Sequence, residues 1–170
     1  MQDLKTKRLT LRAWSLADRA ALPAILADPE VMAYSDAGPL SVVDMDAWLR
    51  CRVSTKGQWA ITHCGAVIGY VALSAARVPE GTSELGFRLA RSAWGHGYAT
   101  EAVQAVLDAL APTPGRVSAI VDPANAASVR VLAKVGFRYA RPIMFAGYDH
   151  PDHLYLLEST MRALKEGSAV

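Results

Sequence analysis

Segments that alternate apolar and polar residues give way to segments of helical spacing along this chain, most sharply between Thr82 and Leu110. Leu85, Phe87 and Leu89 alternate with Glu84, Gly86 and Arg88, the period-two signature of a half-buried strand. From Ala99 the apolar positions recur at Ala102, Val103, Val106, Leu107 and Leu110, with Glu101, Gln104 and Asp108 on the opposite side. That is one buried helical face. Trp94-Gly95-His96-Gly97-Tyr98-Ala99-Thr100 joins the two at the helix N-terminus.

The flanking chain reads in the same way. Thr6 to Trp14 alternates as a strand, and Ser15 with Asp18 three residues on forms a capping box. The helix that follows buries Leu22, Ile25 and Leu26, and Pro23 inside it predicts a kink or a division into two pieces. Asp28-Pro29 ends it, and Val31 to Leu40 is a loop. Ser41 caps a second helix to about Val53, with Met45, Trp48 and Leu49 on one side. Gln58 to Thr62 and Ala66 to Ser74 form a hairpin turning at His63-Cys64-Gly65. Beyond the central unit, Ala111 to Gly115 stops the helix, and Val117 to Val121 is a buried strand parallel to the earlier one. Asn125 to Val135 is a helix with Val129, Leu132 and Val135 inward and Gly136 beyond its end. Phe137 to Phe145 and His153 to Met161 form a final antiparallel pair. The predicted order is β-α-α-β-β-β-α-β-α-β-β.

Composition narrows the class. At 170 residues, 52% hydrophobic and 20% charged, the chain fits a globular domain rather than a disordered one. A net charge of +2, scattered along the chain, does not mark a nucleic-acid partner. Apolar runs such as Val67 to Leu73 are far short of a membrane span, and no signal peptide opens the chain. Cys51 and Cys64 lie on separate elements without metal-ligand spacing, which suits free thiols in a reducing cytoplasm.

The glycine turn carries the chemistry. The first turn of a helix has N–H groups without intrahelical partners and a partial positive charge. Gly95 and Gly97 allow unusual φ values and close approach of a ligand, so the junction suits a phosphate or pyrophosphate held by main chain. A Gly-x-Gly on its own would be no more than a turn. Its position between strand and amphipathic helix makes it a candidate anion site.

With these residues in this order, the chain resembles the GNAT superfamily of acyl-CoA-dependent N-acyltransferases, most closely the branch of ribosomal-protein N-terminal acetyltransferases. The likeness rests on Thr6-Lys-Arg-Leu-Thr-Leu-Arg12, Asp28-Pro-Glu-Val31 and Glu84-Leu-Gly-Phe-Arg-Leu89. Trp94-Gly-His-Gly-Tyr-Ala-Thr-Glu-Ala102, Asn125-Ala-Ala-Ser128 and Lys134-Val-Gly-Phe137 complete it. The resemblance implies an α/β (α+β) fold: a mixed, mainly antiparallel central sheet of about seven strands flanked by helices. A splay is implied between the central and following strands. Residues 1–165 would form a single domain, followed by a frayed tail at 166–170. Acetyl-CoA would be the acyl-donor cosubstrate and an amine the acceptor, in a cytoplasmic enzyme with no nucleic-acid or membrane partner, on a fold that commonly forms homodimers.

The resemblance also distributes roles. Backbone N–H groups of His96, Gly97, Tyr98, Ala99 and Thr100 would hold the CoA pyrophosphate, with Trp94 and Gly95 leading into the loop. Backbone from Phe87 to Leu89 would line the pantetheine, Asn125 would contact it, and Ser128 would lie near the sulfur. Many members carry a tyrosine where this chain has Leu132, as the acid for the departing thiolate. A thiol pKa of about 8.5 makes that assistance dispensable, and Ser128 or water could stand in. The attacking amine must be neutral, so a base is required; Glu84 is the candidate, and an ion pair with a basic neighbour is its structural alternative.

Asn125 also reads as an ordinary N-cap. Tyr148-Asp-His-Pro-Asp-His153 lacks a third well-spaced ligand, so no metal is expected there. Tyr148 and His150, with Tyr34 and Trp48, are candidates to border the acceptor, although core packing suits Trp48 better. Two other functions fit parts of the sequence. Gly95-x-Gly97 with Asp122 fits a nucleotide-binding oxidoreductase, but Thr100 stands where its third glycine belongs. The missing tyrosine fits a catalytically silent acyl-CoA-binding domain.

Overall fold

Among the described residues, eight strands form one mixed, mostly antiparallel sheet in the order β1-β2-β3-β4-β5-β6-β8-β7. They are β1 (Leu4–Lys5), β2 (Leu9–Ala13), β3 (Gln58–His63), β4 (Ala66–Ala75), β5 (Ser83–Leu89), β6 (Arg116–Val121), β7 (Arg138–Ile143) and β8 (Asp152–Glu158). Three α-helices accompany them: α1 (Val42–Ser54), α2 (Tyr98–Leu110) and α3 (Ala126–Lys134). The computed structural model describes residues 2–110 and 115–158. The expected helix stop at 111–114, the last strand beyond 158 and the tail at 166–170 lie outside the described residues. The chain divides into two compact units, one of residues 1–72 and 87–106, the other of 73–86 and 107–170.

In the first unit β1, β2, β3 and β4 pair antiparallel in succession, with Leu4 opposite Leu11, Leu11 opposite Ile61 and Trp59 opposite Val71. The β3–β4 hairpin closes through Cys64 and Gly65, whose φ angles of 49° and 81° are both positive. Two left-handed central residues define the type I′ turn that matches strand twist, and Cys64 takes a place usually held by asparagine or glycine. Gly69 permits a closer approach. A Cβ there would sit 2.2 Å from the Arg88 carbonyl oxygen, so β4 and β5 can meet only at a residue without a side chain.

The expected first helix is indeed divided at Pro23, but neither piece is α-helical. Leu16–Ala21 is 3₁₀ and Pro23–Ala27 is a π-turn. Proline has no N–H for an i→i−4 bond, and the chain answers with Leu22 N–H bonded to the Arg19 carbonyl and Leu26 N–H to the Leu22 carbonyl. Leu22, Ile25 and Leu26 are buried as expected, in a core with Trp14, Met32, Met45, Leu49, Ala60 and Ala90. Trp48 packs against this core, edge-on to Trp14 at 5.2 Å between centroids, which is the packing role rather than the acceptor-facing one. Tyr34 is exposed.

In the second unit β6 pairs antiparallel with β8, and β8 with β7. Leu132, Val135, Phe137, Leu154 and Leu157 are buried there, and Val129 is half-buried. β5 and β6 run parallel, but their registered pairing is confined to Ser83 opposite Val117 and Glu84 opposite Ser118. The buried Ser118 hydroxyl donates to the Ser83 carbonyl at 3.1 Å, marking where the two strands are joined. Beyond Glu84, β5 has no register partner on β6 among the described residues, as a splay requires.

The capping box at Ser15 generates a stability prediction. Asp18 is buried, accepts two bonds from Arg12 at 2.8 and 2.7 Å, and accepts the Ser15 N–H at 2.8 Å. Burial raises its carboxyl pKa, but the Arg12 and Ser15 hydrogen bonds and the Arg12 charge outweigh burial and hold it below the ordinary value. A depressed folded pKa contributes stability above the unfolded value of about 3.9, lost as pH falls through the folded value. Asp18→Asn should therefore cost about 1–3 kcal/mol in urea unfolding at neutral pH. The gap from the unsubstituted protein should close on acidification below about pH 4.

Candidate functional site

The turn between β5 and α2 is built from the first unit. A short 3₁₀ segment, Arg91–Ala93, follows β5, and Trp94 then swings back so that its indole N–H donates to the Leu89 carbonyl at 2.9 Å. That bond fixes the end of the central strand relative to the loop. The Trp94 ring is 45% exposed. Gly95 and Gly97 both have φ of 78°, left-handed values that cost an ordinary residue about 1–2 kcal/mol. A Cβ on Gly95 would meet nothing within 4 Å, so the loop lies open above its backbone. Glu101 N–H bonds to the Gly97 carbonyl and starts the helix, leaving the N–H groups of the turn before it aimed outward from the helix end.

One guanidinium, in the bend between β1 and β2, ties this loop to the start of the chain. Arg8 donates through Nη1 to the His96 carbonyl at 2.9 Å and through Nε to Glu101 Oε2 at 2.7 Å, while its Nη2 lies 2.7 Å from the same oxygen. Glu101 Oε1 accepts the Thr6 hydroxyl at 2.6 Å and the Arg8 N–H at 2.9 Å. Burial pushes the Glu101 carboxyl up, but the Thr6 and Arg8 hydrogen bonds and the Arg8 charge prevail and hold it ionised below its ordinary range. The guanidinium also stacks on Tyr98 at 4.5 Å, and the Tyr98 hydroxyl lies 3.2 Å from His63 Nε2. His96 is exposed, with its ring 5.4 Å from that of Tyr98.

Phe87 and Leu89 thus share a unit with the loop of residues 94–100. Glu84, Asn125 and Ser128 belong to the other unit. Glu84 accepts from Arg77 at 2.9 Å through Nε and 3.2 Å through the backbone N–H, which is the ion pair weighed against a base role. Asn125 is the N-cap of α3, its Oδ1 accepting the Ser128 N–H at 3.0 Å. The cap uses only the carbonyl end of the amide and leaves Nδ2 to donate elsewhere. Leu132, where many relatives have tyrosine, is wholly buried.

Two features lay outside sequence reasoning. Arg8 and Glu101 are 93 positions apart, so their pairing leaves no trace in local spacing. The tip at 148–153 gains a third acidic or imidazole group from the end of β6: ligand atoms of Asp122, His150 and Asp152 lie within 4.8 Å of one another. His150 Nε2 is 3.8 Å from Asp122 Oδ2. Asp122 Oδ1 accepts the Ala124 N–H at 2.8 Å and closes the turn before α3. Both cysteines are free and exposed.

A family model described as an acetyltransferase (GNAT) domain matches residues 8–138, which run through both units. The chain belongs to the GNAT acetyltransferase family. This GNAT chain is 32% identical over 149 residues to an uncharacterised N-acetyltransferase, p20, of Bacillus licheniformis, covering 81% of this chain and 83% of that one. Its fold is similar to a GNAT-family acetyltransferase from Bacillus anthracis, at a TM-score of 0.84 and 23% identity over 94% of this chain and 99% of that chain. It is also similar to RimL, a ribosomal L7/L12 α-N-protein acetyltransferase in complex with coenzyme A. That match has a TM-score of 0.78 and 17% identity over 92% of this chain and 98% of the other. The GNAT chain is an acetyltransferase that uses an acyl-CoA donor, and the oxidoreductase alternative falls. Among the described residues, no helix is long and apolar enough to cross a membrane.

An open, glycine-lined turn on a helix N-terminus offers main-chain donors to an anion. Asn125 provides the separable test of the second unit. Asn125→Asp keeps an equally good N-cap but exchanges the Nδ2 donor for a carboxylate. Unfolding stability should change by less than about 0.5 kcal/mol while the acyl-CoA dissociation constant rises; equal affinity would leave Asn125 as a cap alone.

Proposed function

We propose that the chain is a cytoplasmic enzyme transferring the acetyl group of acetyl-CoA to a primary amine, either a protein N-terminus or a small-molecule amine. Residues 1–165 act as one catalytic domain, which can pair as a homodimer. The observation that supports donor binding best is the open turn at Gly95 and Gly97 on the N-terminus of α2. Backbone N–H groups from His96 to Thr100 hold the pyrophosphate, Trp94 and Gly95 shape the entry, and the backbone of Phe87 to Leu89 lines the pantetheine. Asn125 donates to the same arm.

The amine nitrogen attacks the thioester carbonyl carbon, forming the C–N bond as the carbon–oxygen double bond opens onto the oxygen. A backbone N–H of the central strand stabilises that oxyanion. Collapse re-forms the carbonyl and breaks the C–S bond, and the thiolate leaves with the electron pair. The proton lost by the nitrogen passes through water to Glu84, and the thiolate takes a proton from Ser128 or water. The Arg77 pair holds the Glu84 carboxylate in place. Leu132 places no acid at the tyrosine position, and the low pKa of a thiol makes that tolerable.

Calorimetric titration with acetyl-CoA, and separately with NADH, tests the donor assignment. Saturable binding of acetyl-CoA and none of NADH is expected. Gly97→Val should weaken acetyl-CoA binding by at least about tenfold with an unchanged far-ultraviolet circular dichroism spectrum, because valine at positive φ displaces the donors. Unchanged affinity would remove the pyrophosphate from this loop. Glu84→Gln should lower kcat while leaving the acetyl-CoA dissociation constant near its original value. If both are unaltered, Glu84 is not the base.

A further inference from the structure

We infer that Arg8 is a positioning residue for the donor: it sets the direction in which the pyrophosphate loop presents its backbone donors. The inference rests on the proposed placement of the pyrophosphate. The peptide between His96 and Gly97 is trans, as are all those described, so its carbonyl and its N–H point in opposite directions. Arg8 Nη1 holds the His96 carbonyl at 2.9 Å, on the side of the β1–β2 bend. The Gly97 N–H is thereby turned away from Arg8, toward the open side of the loop. Glycine at φ 78° has no side chain to fix that peptide plane, and its two flanking torsions are the softest in the turn. The constraint comes from the guanidinium.

The guanidinium is itself held from several directions. Nε and Nη2 engage Glu101 Oε2, the plane stacks on Tyr98, and Glu101 Oε1 is saturated by Thr6 and the Arg8 N–H. The planar fork of arginine can bond the helix carboxylate and the loop carbonyl together in fixed relative geometry, which a lysine ammonium cannot do in the same rigid way. Charge balance follows from the same pairing. Glu101 stands in the first turn of α2, close to where an anion would bind, and Arg8 neutralises it. The anion then meets neutral peptide donors rather than a bare carboxylate.

The test separates positioning from charge and from general damage. The Gly97 amide resonance is followed by NMR while acetyl-CoA, or S-acetylpantetheine (which lacks the pyrophosphate), is titrated into three proteins. These are the unsubstituted protein, R8K and the double variant R8A/E101Q, which removes the guanidinium without leaving an unpaired carboxylate. The double variant should bind acetyl-CoA at least about tenfold more weakly, the loss of a charge-assisted anchor, with its affinity for S-acetylpantetheine unchanged. R8K, which keeps the charge without the fork, should recover only part of the loss. Equal losses for both ligands, no loss for either, or full recovery in R8K would overturn the positioning role. If the unsubstituted protein does not itself prefer acetyl-CoA over S-acetylpantetheine, the pyrophosphate placement fails first and the Arg8 role falls with it.

Discussion

An α-helix begins with donors it cannot satisfy itself, and the organisation around α2 follows from that constraint. Most proteins answer it with a capping side chain. Here the residue before the helix is Gly97, which has none, and the turn leading into it is opened by two glycines at positive φ. The unsatisfied N–H groups are the donors proposed for the pyrophosphate. Such a loop needs support beyond its two glycines, which have no side chains to define its shape. Trp94 ties its beginning to the Leu89 carbonyl, and Arg8 ties its middle to the first turn of the helix. The anchors are therefore side chains while the recognising groups are backbone.

The same division explains what could be read from the sequence. Strand β5, the glycine turn and α2 were legible because alternation, glycine placement and helical spacing are local signals, and each has a distinct period. Asn125 was legible as a cap for the same reason, and Pro23 as a break. The 3₁₀ and π character on either side of Pro23 was not, since periodicity shows that a helix is interrupted but not which hydrogen-bond ladder replaces it. Nor was β1, whose two residues are too few to show a period. Arg8 was visible only as one basic residue in an alternating strand. Its meaning lies in a carboxylate and a carbonyl far away along the chain, and pairings of that kind leave no mark on local spacing. Asp122 drawing close to His150 is a second case of the same kind.

Glu84 shows where a residue type and its role part company. A carboxylate on the polar face of the central strand fits a base, and the same carboxylate bound to Arg77 across the β4–β5 connection fits a structural ion pair. The two readings are compatible. The pair holds the carboxylate in place, and as a base it would still have to reach the amine proton through water. A base relayed through water to an amine whose own pKa is about 8 to 10 faces a large mismatch in any case. In such an arrangement most of the rate enhancement has to come from holding amine and thioester together in line, with the base removing a proton whose acidity rises as the C–N bond forms.

That balance bears on acceptor choice. Donor recognition by main chain depends on backbone direction and little on residue identity, so the donor loop can stay the same while the acceptor changes. A protein N-terminus and a small amine present the same nucleophilic nitrogen, and what distinguishes them is the surface several ångströms behind it. Under the proposed reaction, selectivity then rests on side chains away from the donor loop.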